Sequence, residues 1–89
     1  MASRAPVAAE KHYRAALKAD PRHETAAFNL GVALEDLGRI SEAIEAYRLA
    51  IDLDPENADA HYNIAGMYER RGDKAAALRH LKVCRASKK

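Results

Sequence analysis

Apolar residues recur along this chain at steps of three and four, in five runs separated by short polar, glycine- or proline-containing breaks. That spacing puts them on one face of an α-helix. The first predicted helix covers about residues 6–19, with Ala9, Tyr13, Ala16 and Leu17 as its stripe. Pro6 suits a first turn, and Asp20-Pro21 ends the run. The second covers about residues 23–37, where Ala26, Ala27, Leu30, Gly31, Ala33, Leu34 and Leu37 share a face. Gly38 then supplies the left-handed residue that closes many helices. The third covers about residues 41–53, with Ser41 as the predicted N-cap and Ala43, Ile44, Tyr47, Ala50 and Ile51 pointing inward. Asp54-Pro55 stops it. The fourth spans about residues 58–71 before Gly72, and the fifth runs from an Asp73 cap to about residue 86 with Ala77, Leu78, Leu81 and Cys84 inward.

The runs are phased. Pro21 and Pro55 stand 34 residues apart, each closing an Ala-x-x-x-Tyr-x-x-Ala segment (Ala9, Tyr13, Ala16; then Ala43, Tyr47, Ala50). Ala77, Leu81 and Cys84 follow at the same step. Laying residues 24–55 over 58–89 aligns Ala26 with Ala60, Phe28 with Tyr62, Asn29 with Asn63, Glu35 with Glu69, Gly38 with Gly72 and Ile44 with Leu78. One supersecondary unit used repeatedly is the signature of a stacked array. Small residues at Gly31, Ala43, Ala50, Ala65, Ala77 and Cys84 would let paired helices approach closely. Leu30, Leu34, Tyr47, Ile64, Tyr68 and Leu81 would fill the space between layers.

The segment Phe28-Asn29-Leu30-Gly31-x-x-Leu34, followed by Gly38, Ala43, Tyr47, Ala50 and Pro55, resembles the tetratricopeptide repeat. So does Tyr62-Asn63-Ile64-Ala65-x-x-Tyr68, followed by Gly72, Ala77, Leu81 and Cys84. The departures are Ala27 and His61 for the family's usual aromatic, Ala65 for its glycine and Lys89 for its closing proline. The resemblance implies an all-α fold, antiparallel helix-turn-helix repeats stacked into a right-handed α-solenoid of five helices. Residues 1–5 would be a flexible terminus, 6–21 a half repeat, 24–57 a full repeat and 58–89 a terminal one.

It also implies a non-enzymatic scaffold that holds a peptide or partner segment in a concave groove lined by the first helix of each pair. Transferred by phase, the lining residues are Thr25, Phe28, Asn29, Val32, Glu35 and Asp36, then Asp59, Tyr62, Asn63, Gly66, Glu69 and Arg70. An Asn amide both donates to and accepts from an extended backbone, and Phe28 and Tyr62 offer flat apolar surfaces. The basic residues with which some family members grip a C-terminal carboxylate are missing, since Phe28, Val32, Asp59 and Tyr62 hold those places.

Composition narrows the function further. The chain has 89 residues, a net charge of +2 and a single cysteine. Those values exclude an internal disulfide framework and do not point to nucleic acid. With no secretory or membrane-length apolar run, cytoplasm is the expected compartment. No acid follows Asp73, whereas Lys74, Arg79, Lys82, Arg85, Lys88 and Lys89 do. These read as a solvated final helix or, alternatively, as a weak surface for an anionic partner. Arg85, Ser87 and Lys89 replace Ile51, Leu53 and Pro55 of the preceding copy, as a terminal cap would.

At the other end, Ala9, Tyr13 and Ala16 lack the helix they would pair with, and a homodimer through that edge is a further alternative. His80 and Cys84 share a helix face, but two ligands do not close a zinc site, and His61 reads as a satisfied core histidine. Glu42, Glu45, Arg48 and Asp52 read as solvated charges. No phosphate loop, His-Glu-x-x-His motif or elbow serine is present. Neither cofactor nor metal is expected.

Overall fold

The computed structural model describes the backbone of residues 5–87 and the side chains of residues 6–82. Five helices follow one another: α1 (Ala5–Ala19), α2 (Glu24–Asp36), α3 (Ile40–Leu53), α4 (Ala58–Arg70) and α5 (Lys74–Ser87). Each packs on the next, and α2 with α3 and α4 with α5 form the two most extensive pairs. The result is an all-α helical-repeat solenoid, with no strand among the described residues.

The breaks are built twice from the same chemistry. Asp20-Pro21 and Asp54-Pro55 open tight turns in which the Asp carboxylate accepts from the backbone N–H two residues on (Arg22, 3.0 Å; Glu56, 3.2 Å). The next helix is then capped by a side chain. His23 Nδ1 accepts from Ala26 N–H at 3.1 Å, and Asn57 Oδ1 accepts from Ala60 N–H at 3.0 Å. Gly38 (φ 77°) and Gly72 (φ 84°) close the hairpins in the left-handed region. There Gly38 N–H reaches Glu35 O and Arg39 N–H reaches Leu34 O, a pattern that Gly72 and Asp73 repeat with Glu69 and Tyr68.

The predicted boundaries stand within a residue or so, with one correction. Ser41 does not cap α3. That helix begins at Ile40, with Arg39 in the cap position and no side-chain bond to the freed N–H groups. The closing turn already ties Arg39 N–H to Leu34 O, so the helix starts too early for Ser41, which is exposed in the first turn. The equivalent Asp73 does cap its helix, through Ala76 N–H at 3.1 Å.

The core follows the predicted stripes. Ala43, Tyr47, Ala50, Ala60 and Ile64 are fully buried. Gly31 is required by Tyr47: a Cβ there would stand 2.6 Å from two atoms of the tyrosine ring. In the second copy Leu81 replaces the tyrosine, and Ala65 accordingly replaces the glycine. One assignment of the sequence pattern fails. Leu78, predicted to face inward like Ile44, is 59% exposed, because nothing among the described residues packs over α5 as α4 packs over α3. The terminal-cap reading rests on Arg85, Ser87 and Lys89, which lie outside the described side chains.

Glu42, read as a solvated charge, belongs to a cluster that fastens α1 to the first hairpin. Arg39 pairs with Glu42 through two nitrogens and with Glu10 at 2.6 Å. Arg14 reaches Glu10 at 2.9 Å and Glu42 at 3.1 Å. Hydrogen bonds from Arg14, and then the charge and bonds of Arg39, hold the Glu10 carboxyl below its ordinary value, and Arg39 does the same for Glu42.

Two outcomes are expected. Gly31→Ala should lower stability by about 1–2 kcal/mol, an overpacking cost that outweighs the gain in helix propensity. Gly66, whose Cβ would meet nothing within 4 Å, gives the opposite sign on the same substitution, a gain of up to about 1 kcal/mol. Urea denaturation of both variants checks the pair, and a stabilised Gly31→Ala would refute the close approach to Tyr47. Second, the depressed carboxylates contribute stability that is complete above the ordinary value of 4.5 and is lost as pH falls below it. Thermal melts at pH 6 and pH 3.5 should show a smaller acid loss in Glu10→Gln/Glu42→Gln than in the wild type.

Candidate functional site

Tyr47 is fully buried in α3 and carries a hydroxyl that must find partners. It donates to Glu35 Oε1 of α2 at 2.8 Å and accepts from Asn63 Nδ2 of α4 at 3.4 Å. One hydroxyl therefore ties side chains of α2 and α4 to α3 at a single point. Burial first, and the Glu35 carboxylate second, push the Tyr47 hydroxyl well above its ordinary 10.0, so it stays a donor throughout the physiological range. Phe28 of α2 packs on the same ring, centroids 5.7 Å apart.

The twelve predicted lining residues lie in several local settings. Asn29, Val32 and Asp36 come together with Pro6, Ala9, Tyr13 and Ala33 in a groove between α1 and α2. Glu35 and Asn63 meet through Tyr47, and both are half-buried. Glu69 lies instead at a depression with Lys74, Ala77, Leu78 and Leu81. Thr25, Asp59 and Arg70 are exposed, and Gly66 opens onto free space.

The aligned aromatics differ in role. Phe28 is half-buried against Tyr47, whereas Tyr62 is 61% exposed, because Leu81 offers it no matching ring. The equivalent asparagines differ too. Asn63 spends one N–H on Tyr47, and Asn29 makes no side-chain hydrogen bond among the described residues. Ala9, Tyr13 and Ala16, the predicted dimer edge, are half-buried.

Sequence reasoning missed the pairing of His61 with His80. His61 is 5% exposed, as a core histidine should be; its Nε2 donates to Pro55 O at 2.8 Å, leaving Nδ1 against His80 Nδ1 at 3.0 Å. The His80 ring stacks on Tyr68 at 5.5 Å. The only advance signal was that both are histidines on facing helices. Cys84, the other candidate neighbour of His80, lies outside the described side chains. No group of three metal-ligating side chains occurs among the described residues, and no described helix is long and apolar enough to cross a membrane.

With the geometry in view, comparison with known proteins identifies the architecture. A family model for the tetratricopeptide repeat matches residues 3–58 and again residues 35–87. The chain belongs to the tetratricopeptide repeat family. Among solved structures, a crystal structure of MamA superposes with a TM-score of 0.89 at 26% identity, over 92% of this chain and 48% of that one. MamA AMB-1 gives 0.79 at 36% identity, over 83% of this chain and 40% of that one. MamA MSR-1 gives 0.75 at 38% identity, over 80% and 41% respectively. The chain thus spans about half the length of these MamA structures, or less. No curated protein sequence matches it significantly.

The second hairpin is expected to respond to pH through His80. Burial, then the neighbouring His61, Arg79 and Arg48, lower the His80 value below its ordinary 6.5. A depressed histidine contributes stability that is complete above 6.5 and declines as pH falls below it. The melting temperature should therefore drop between pH 7.5 and pH 5.5, and drop less in His80→Phe; equal pH dependence in the two proteins would refute the pairing.

Proposed function

We propose that this chain is a protein-interaction scaffold in which the α2–α4 layer forms the concave side of the repeat stack and holds a peptide or partner segment. Residues 6–21 would serve as a half repeat, 24–57 as a full repeat and 58–89 as the terminal one. The observation that carries the reading is Tyr62: a large aromatic left 61% exposed on an ordered helix, beside an asparagine already oriented by Tyr47. An exposed rigid aromatic loses little entropy when a ligand covers it. Among the described residues, Asn63 keeps one N–H and its carbonyl oxygen for an extended backbone, and Asn29 keeps its whole amide. Asp36, Asp59 and Glu69 around the face are exposed carboxylates that favour a basic residue in the ligand.

A surface from so few repeats buries less than a standard interface, so affinities of about micromolar strength are expected. Peptides selected for binding by display should bind Tyr62→Ala at least about tenfold more weakly, with backbone amide shifts centred on Asn29, Tyr62 and Asn63. Tyr62 is exposed, so its removal should leave the fold intact. Selected peptides that bind Tyr62→Ala and Asn29→Ala/Asn63→Ala as tightly as the wild type would overturn the reading.

A further inference from the structure

Two grooves in the molecule are related by the 34-residue step. The first, between α1 and α3 over α2, is lined in part by Arg14, Leu17, Leu34, Glu42, Glu45 and Ala46. Moving these forward gives Arg48, Ile51, Tyr68, Ala76, Arg79 and His80. Four of those, with Asp52, line a second groove between α3 and α5 over α4. The arginine is kept but its partners are not. Arg14 is gripped by Glu10 at 2.9 Å and Glu42 at 3.1 Å, whereas the equivalent places in the second copy hold Ile44 and Ala76. The first groove's Glu45 becomes Arg79, and Arg39 becomes Asp73, which is engaged in capping α5. Arg48 and Asp52 are both exposed and, one turn apart, form no ion pair among the described residues. In place of Ala46 stands His80. Its Nδ1 meets His61 Nδ1 at 3.0 Å and its ring stacks on Tyr68, so the imidazole is fixed with Nε2 left over. His61 donates through Nε2 to Pro55 O, so its Nδ1 accepts and His80 Nδ1 carries the shared proton. A proton added at His80 Nε2 then gives the groove a second donor besides the Arg48 guanidinium.

We propose that the α3–α5 groove takes a glutamate or aspartate side chain from an acidic segment of a partner protein, in the role that Glu42 plays for Arg14 in the first copy. The carboxylate pairs with Arg48 and accepts from His80 Nε2, while apolar neighbours in the segment cover Ile51 and the Tyr68 ring. An exposed Arg–carboxylate pair alone contributes little, so a free small carboxylate is held weakly and the apolar cover supplies the rest. The described titratable groups around His80 are Arg48 and Asp52 from α3, His61 and Tyr68 from α4, and Arg79 on its own helix. Burial, His61, Arg79 and Arg48 hold His80 below 6.5. A bound carboxylate opposes them and raises it, so binding takes up a proton and strengthens as pH falls from 7.5 to 6. The groove shares no residue with the Tyr62 face.

The test uses the intact 15N-labelled chain and three probes: a blocked Ser-Leu-Glu-Leu-Glu-Ser peptide, its glutamine counterpart, and glutarate. The glutamate peptide should shift the amides of Arg48, Asp52, Tyr68 and His80. It should bind at least about tenfold more tightly than the glutamine peptide or glutarate. Arg48→Gln, at an exposed position, should weaken it to a similar degree, and Asp52→Asn, which removes a competing carboxylate, should strengthen it. Lowering the pH from 7.5 to 6 should tighten binding several-fold in the wild type and not in His80→Phe. Tyr62→Ala should leave binding unchanged. Equal binding of the glutamate and glutamine peptides would overturn the proposal, as would shifts confined to Tyr62 and Asn63 or an Arg48→Gln variant that binds like the wild type. Glutarate binding as tightly as the peptide would also overturn it, because a small carboxylate would then be the ligand.

Discussion

A tyrosine buried without trace of exposure must satisfy its hydroxyl inside the protein, and in this chain that demand organises the middle of the stack. The Tyr47 hydroxyl is bonded to one side chain from α2 and one from α4, so three helices share a single polar point. Its ring presses so closely on α2 that only glycine fits opposite it. An apolar contact fixes distance but tolerates rotation, whereas a hydrogen bond with a defined donor and acceptor fixes orientation as well. The second hairpin, with Leu81 and Ala65 in the corresponding places, is held by apolar packing and by the His61–His80 pair instead. The two repeats are alike in outline and unlike in what joins them.

Stacked repeats touch only their neighbours. Here α1 packs Tyr13 and Leu17 against the core and is also fastened to the first hairpin by four charged side chains. The far face of α5 leaves Leu78 largely open. These are surface ion pairs, individually weak, but they share partners and so act as a network. Their work is to keep α1 in register, which in turn shapes the groove that α1 makes with α2.

Binding surfaces on such a scaffold arise from the same packing that makes the fold. Glu35 and Asn63 are positioned by a core residue, so the proposed binding face is arranged by the fold itself. Tyr62 differs from Phe28 for a similar reason. The ring beneath Phe28 holds it down, while the leucine of the terminal copy leaves Tyr62 free to meet something else.

The amino-acid sequence by itself determined the helices, their breaks, the 34-residue step and the small positions where helices meet. Those features follow from local rules: apolar period, Asp-Pro turns, left-handed glycines and the volume each residue brings. Tertiary structure alone decided that Arg39 rather than Ser41 holds the cap position of α3, that Glu42 is paired, that Leu78 faces outward and that His61 meets His80. It also decided that Asn63 is bound while the equivalent Asn29 has no side-chain hydrogen bond among the described residues. Each of these depends on which side chain lies across from another on a neighbouring helix, and periodicity along one strand of sequence carries the direction a residue points but not what it finds there.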